Sequence, residues 1–137
     1  DCERFRAEYG VPEHGFVRDI LFPGWIDQED LPAVYSLADL YLYPSNLEAF
    51  PIPITEALAC GTPIVTSNVN GLEEIAGDAA VLVDPQDADA IAAALVQVLS
   101  DEKRRLELSA RSLRRSARFN WDACAKETLS IIESVGR

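Results

Sequence analysis

Methionine is absent from all 137 residues, and histidine occurs once, as His14. A chain without methionine carries no start residue, so it is expected to be a piece of a longer protein. One histidine and three scattered cysteines, Cys2, Cys60 and Cys124, supply no Cys/His zinc centre and no disulfide framework. An odd number of thiols suits a reducing compartment, and the expected location is cytoplasmic. His14 falls in a polar turn, residues 12–15. Cys60, beside Gly61 and with no histidine nearby to activate it, reads as a small buried residue and not as a nucleophile. No apolar run in the sequence is long enough to span a bilayer, and no signal peptide is expected among these residues.

Positive charge is missing from most of the chain. Between Asp19 and Glu102 there is no Lys, Arg or His, while the same span carries fifteen acidic residues; the net charge is −11. That balance, with no aromatics interleaved among the basic residues, gives poor support to nucleic acid as a partner, and none is expected. Seven of the twelve basic residues lie between Lys103 and Arg118. Arg111, Arg114, Arg115 and Arg118 fall on one helical face, and Leu106, Ala110, Leu113 and Ala117 on another. Two readings follow: a basic face for anionic lipid headgroups, which would make the protein peripheral at a membrane, or a solvated face whose apolar stripe packs on a sheet. The second is the expectation.

What is present is a run of alternating elements in a chain with 48% hydrophobic residues, enough for one globular unit over residues 1–137 that buries roughly two thirds of its extended surface. Candidate strands are residues 17–22, 39–43, 63–67 and 80–83, with helices between them. The apolar and aromatic run 39–43 reads as a strand buried on both faces, and residues 44–46 end it. Glu48 then lies in the loop past the carboxyl end of a strand. Pro53 fits the first position of a helix that closes at Gly61, and Glu56 falls in its first turn. Two carboxylates eight positions apart across a strand, loop and helix form a set of hydrogen-bond acceptors. Acceptors suit the neighbouring hydroxyls of a sugar and do not suit phosphate. Taken singly, Glu48 is equally a solvated loop residue and Glu56 an ordinary helix charge.

The segment from Pro44 to Pro63 resembles the E-x7-E motif of retaining nucleotide-sugar glycosyltransferases with the GT-B fold, the group 1 family of mannosyl- and glucosyltransferases. Further stretches share the resemblance: Phe22, Pro23, Gly24, Trp25 and Ile26; the helix 31–37; Gly71 to Glu74; residues 77–85; and Phe119, Asn120 and Trp121. It covers nearly the whole chain. The resemblance implies an α/β fold, a Rossmann-like parallel sheet in the order 3-2-1-4-5-6. The four candidate strands would match the third to the sixth, so the domain would be partial, lacking its first two strands. A gap of that kind would favour a strand-exchanged oligomer.

In function, the resemblance implies transfer of a hexose from a nucleotide-diphosphate sugar to an acceptor, with no cofactor and no metal required. Glu48 would take the donor sugar's hydroxyls as the catalytic-site carboxylate, and Glu56 the ribose hydroxyls. The main chain around Phe50, with Ala49 and Ile52, would lie against sugar and phosphates. Trp25 and Ile26 would border the nucleobase, although Trp25 equally fits a core or interface aromatic. Ser67 opens a polar loop at the carboxyl end of a strand and is a further donor contact. Cations for the pyrophosphate would come from earlier strands, and the acceptor pocket from an absent N-terminal domain, so the chain alone is expected to be inactive. A non-catalytic nucleotide-sugar-binding domain and a nucleotide-sugar epimerase of the same fold are the alternatives. Ala49 and Pro51 replace the glycines of the commoner Glu-Gly-Phe-Gly form, and proline removes one backbone donor. Asp87 and Asp89 resemble the D-x-D metal site of the other glycosyltransferase fold, but they also suit the N-cap and first turn of a helix over 88–99.

Overall fold

The structure is a computed structural model that describes Ala7, Gly10, the backbone of residues 15–17, and residues 19–69 and 71–135. The turn holding His14 lies largely outside the described residues, and Cys2 wholly so. The chain forms two compact units, Asp1–Leu31 and Pro32–Arg137.

In the first unit, strands β1 (Gly15–Val17) and β2 (Ile20–Phe22) pair antiparallel, with Val17 opposite Ile20 and Gly15 opposite Phe22. The expected single strand over 17–22 is therefore corrected: Val17 and Ile20 stand opposite each other on two antiparallel strands. A two-residue connection can join only antiparallel strands, since a parallel pair needs a long crossover. The hairpin is a sheet of its own.

The second unit holds a three-stranded parallel sheet in the order β3-β4-β5, with β3 at Tyr41–Tyr43, β4 at Ile64–Ser67 and β5 at Ala80–Val83. Tyr41 and Tyr43 stand opposite Ile64 and Thr66, which stand opposite Ala80 and Leu82. All four residues of central β4 are buried, as a strand covered on both faces requires. β3 departs from expectation: Leu42 is exposed while Tyr41 and Tyr43 are half-buried, because β3 pairs on one side only among the described residues.

Helices cover both faces. Helices α1 (Leu31–Leu37), α2 (Ile52–Ala59) and α3 (Leu72–Ala76) are joined to the sheet by the crossovers, and a single 3-10 turn, Gly77–Ala79, leads into β5. Ile54, Ala57 and Leu58 of α2 pack with Ile64, Leu72, Ile75 and Ala76 into one core, against which Tyr35, Tyr41 and Tyr43 lie. On the other face Val65 and Val83 meet Ala94 and Val98 of α4 (Ala88–Leu99) and Leu108 of α5 (Glu102–Ser116). Side chains alternate across a strand, so Ile64 and Val65 necessarily feed different cores.

Helix ends follow local chemistry. The Gly61 N–H donates to Leu58 O at 3.1 Å and the Thr62 N–H to Ala57 O at 3.0 Å, closing α2 in a Schellman motif with Gly61 at φ 71°. Asp87 accepts from the Ala90 N–H at 2.9 Å, which makes it the N-cap of α4, and Asp89 sits in that helix's first turn. Asn120 Oδ1 accepts from the N–H groups of Asp122 and Ala123 at 2.8 and 3.1 Å, starting α6 (Trp121–Val135). No helix among the described residues is long and apolar enough to cross a membrane.

The α5 expectation needs correction. Leu106 and Leu113 are exposed, and the buried positions are Leu108 and Ser112. Arg111 and Arg115 share that inward face. Arg111 Nη1 donates to Asp78 O at 3.2 Å and lies 3.9 Å from Asp78 Oδ2. Arg115 donates to Ile75 O at 3.0 Å and to Glu74 O, and its guanidinium lies 6.0 Å from the Phe119 ring centroid. The end of α3 leaves carbonyl oxygens that need donors, and arginines supply them where leucine could not. Arg114 and Arg118 are the two exposed members of the predicted basic face.

Candidate functional site

The loop between β3 and α2 carries the first carboxylate. Glu48 is half-buried; its Oε1 accepts from the Tyr43 hydroxyl at 2.5 Å and from Ser45 Oγ at 3.1 Å. The second carboxylate, Glu56, accepts at Oε2 from the Tyr35 hydroxyl at 3.1 Å. Its place differs from expectation. α2 begins at Ile52 with Pro51 as N-cap, so Pro53 is the second helical residue and Glu56 lies beyond the first turn, which holds no acidic residue. Pro51 is buried and the chain enters the helix one residue early, with Ile54 N–H on Pro51 O at 3.0 Å.

Three tyrosine rings join the two carboxylates in one row. Tyr35 meets Tyr41 edge to face at 5.3 Å between centroids, and Tyr41 stacks on Tyr43 at 5.9 Å. Tyr41 and Tyr43 share a face because strand side chains alternate. Burial and the neighbouring Tyr41 push the Tyr35 phenol well above its ordinary pKa, with the bond to Glu56 adding to the shift. Burial likewise raises Tyr41, partly offset by its bond with Tyr35. Tyr43 is pushed up to about 12, chiefly because its proton is held on Glu48. All three phenols are therefore donors at neutral pH. Behind them, Thr62 Oγ1 donates to Tyr35 O and Thr66 Oγ1 to Tyr43 O, each at 2.8 Å, and both threonines are buried.

The backbone of the same loop is only partly committed. The Ile52 N–H donates to Phe50 O at 3.1 Å, while the N–H groups of Ala49 and Phe50 donate to nothing among the described residues. Phe50 is half-exposed and meets Phe119 edge to face at 6.1 Å. A cleft of about 720 Å³ opens here, with Phe50, Ile52, Thr55 and Glu56 on one side and Arg118, Phe119, Trp121 and Cys124 on the other. Arg118 thus joins Glu56 from 62 positions away, supplying a cation that residues 19–102 lack.

The remaining candidates are placed separately. Ser67 is fully buried at the end of β4, and its hydroxyl has no partner among the described residues. Asn46, in the loop after β3, accepts from Gln86 in the loop after β5, tying two loops at the carboxyl edge of the sheet. Trp25 and Ile26 belong to the first unit; Trp25 is 90% exposed, so it is no core residue, and its Nε1 donates to Asp27 Oδ1 at 3.3 Å. No cluster of three or more His, Cys, Asp or Glu suited to a metal occurs among the described residues.

Sequence reasoning missed the tyrosines, the threonines behind them, and Arg118. Tyr41 and Tyr43 at a spacing of two were a signal that one strand face is aromatic. Nothing local marked Tyr35, and Arg118 was marked only as part of a basic helix face, because the partners of both are distant in sequence.

Residues 3–115 match the family described as glycosyl transferases group 1. The chain is 42% identical over 124 residues to the O-antigen chain mannosyltransferase B of Escherichia coli, a match covering 90% of this chain and 32% of that protein. Among solved structures, sucrose-phosphate synthase from Thermosynechococcus elongatus is 33% identical, with a TM-score of 0.78 over 98% of this chain and 33% of that one. Anabaena HepE, solved in complex with UDP-glucose, is 20% identical with a TM-score of 0.79 over 97% of this chain and 36% of its own; at that identity the likeness is one of fold. The chain spans about a third of the length of the mannosyltransferase.

Proposed function

Because this chain belongs to the group 1 glycosyl transferases, we propose that the protein carrying it is a retaining glycosyltransferase that moves a hexose from a nucleoside-diphosphate sugar to an acceptor. This chain forms part of the donor site. The observation that carries the reading is the pair of carboxylates, Glu48 and Glu56, each held through one oxygen by a phenol of the same tyrosine row. Within the bonds described, the other oxygen of each is left to accept from a ligand, and acceptors of that kind match the vicinal hydroxyls of sugars.

Glu48 takes the hydroxyls of the donor sugar and Glu56 those of the ribose. The N–H groups of Ala49 and Phe50, which donate to nothing among the described residues, face the phosphates, with the chain at Ile52 closing the loop. Ser67 supports the pocket at the carboxyl end of β4. Catalysis then rests on positioning and on stabilising charge that develops on the leaving phosphate. The acceptor pocket and further cations belong to other parts of the protein. The mannosyltransferase named above supports mannose as the first hexose to try, and the UDP-glucose complex of HepE supports a sugar nucleotide as donor class.

The test is donor binding and transfer by the full-length protein, with UDP- and GDP-hexoses as probes. Glu56→Ala is expected to weaken donor binding about tenfold or more, the cost of losing hydrogen bonds to a charged group. Unchanged affinity would remove the ribose role. Product formed from donor alone, without acceptor, would indicate epimerisation instead of transfer.

A further inference from the structure

We propose that Tyr43 and Tyr35 are positioning residues that fix the two carboxylates in their ligand-accepting orientation, each anchored from behind by a buried threonine. The inference rests on the donor-site reading above and deepens it. Two chains of contacts run in parallel from buried threonines to the site: Thr66 to Tyr43 to Glu48, and Thr62 to Tyr35 to Glu56.

A glutamate side chain has three rotatable bonds, and ordering it on binding costs side-chain conformational entropy. A phenol has a rigid ring on two torsions, so a packed tyrosine can hold a carboxylate with little further loss of freedom. Here the rings are packed. Tyr41 contacts both neighbours, at 5.3 and 5.9 Å, so neither outer ring can swing away without opening the row. The backbones are fixed as well. Thr66 sits on central β4, and its hydroxyl reaches across to the carbonyl of Tyr43 on the edge strand. Thr62 lies in the closing turn of α2 and holds the carbonyl of Tyr35; its own carbonyl accepts from the buried hydroxyl of Ser112 on α5 at 3.0 Å. Each carboxylate is thus tied to the core by a phenol and a threonine, and each tie engages a single oxygen.

The geometry assigns a division of labour. Glu48 Oε1 is occupied by Tyr43 and Ser45, which turns Oε2 toward a ligand. Glu56 Oε2 is occupied by Tyr35, which turns Oε1 toward a ligand. The shared Tyr41 ring sets the two tyrosines relative to each other, so it also sets the spacing at which sugar and ribose hydroxyls are met.

The test is a double-mutant cycle on the full-length protein, with donor affinity for UDP- and GDP-hexoses measured by calorimetry and the thermal midpoint recorded for each variant. Tyr43→Phe keeps the ring and removes the hydroxyl. It is expected to weaken donor binding about tenfold while Glu48→Ala weakens it at least as much, and the double variant should match Glu48→Ala alone. A well-folded Tyr43→Phe with unchanged affinity, beside a damaged Glu48→Ala, overturns the positioning role and leaves the donor-site reading intact. Additive losses overturn it too, since Tyr43 would then act other than through Glu48. If neither variant alters donor binding, the donor-site reading itself fails and the inference with it. Should Tyr43→Phe lower the thermal midpoint, the Tyr35→Phe and Glu56→Ala cycle decides by the same outcomes at the other carboxylate.

Discussion

The guanidinium of Arg115 closes the end of α3, its Nε donating to the carbonyl oxygen of Ile75 at 3.0 Å while a second nitrogen donates to Glu74 O. Gly77, at φ 56°, lets the two approach, because a Cβ there would lie 3.0 Å from Arg115 Cζ. A residue that reads as surface charge is therefore a helix cap supplied by another helix.

Removing that cap leaves carbonyls without donors. Arg115→Met is expected to destabilise the fold by about 1 to 3 kcal/mol, whereas Arg114→Met, at an exposed neighbour, should change stability by less than about 0.5 kcal/mol. Urea unfolding of both variants makes the comparison. Equal, small effects would mean that water satisfies these carbonyls.

Gly61 has two demands on it. Its φ is 71°, and an added Cβ would stand 3.1 Å from Leu113 Cγ. Gly61→Ala is expected to cost about 1 to 2 kcal/mol from the dihedral alone, with a steric part on top. Adding Leu113→Ala should recover the steric part and leave the dihedral one, as read by denaturant midpoints.

Phe50 and Phe119 meet edge to face at 6.1 Å, joining the Glu48 loop to the turn before α6. A double-mutant cycle of Phe50→Leu and Phe119→Leu is expected to show a coupling of about 0.5 to 1.5 kcal/mol in unfolding free energy. A coupling near zero would mean that the loop does not depend on that turn.

Alkaline pH offers an independent reading of the Tyr43 contact. Its phenol is raised from 10.0 to about 12 because its proton is held on Glu48. The folded state keeps this proton longer than the unfolded chain does. The resulting stabilisation is fully present below the unfolded value and is lost as pH rises from there through about 12. Stability should therefore fall over that window, and Tyr43→Phe should flatten the fall. A tyrosinate absorbance titration of Tyr43→Phe should lack one late-ionising group.

Much of the architecture was legible in local chemistry. The α/β alternation, the parallel strands around residues 41–43, 64–67 and 80–83, Gly61 as a helix stop, Asp87 as an N-cap and the helix opening at Trp121 each follow from propensity, φ or a side-chain acceptor within a few residues. The two carboxylates flanking a strand-loop-helix boundary were likewise visible, because their spacing is a sequence property. The hairpin over residues 15–22 was not, since three-residue strands are too short for periodicity to separate one strand from two.

Distance in sequence marks what only the tertiary structure decided. Tyr35 reaches Glu56 across 21 positions, Thr66 reaches Tyr43 across 23, and Arg115 reaches Ile75 across 40. Hydrogen bonds like these depend on where helices and strands dock, and docking is set by the buried faces of α2, β4 and α5 together. Residue order by itself determined that this chain would fold around buried apolar strands and carry two accepting carboxylates eight positions apart. Whether those carboxylates would be held, and whether arginines would face solvent or cap a helix, was decided by packing, because a polar group's partner is whichever complementary group the core brings within about 3 Å.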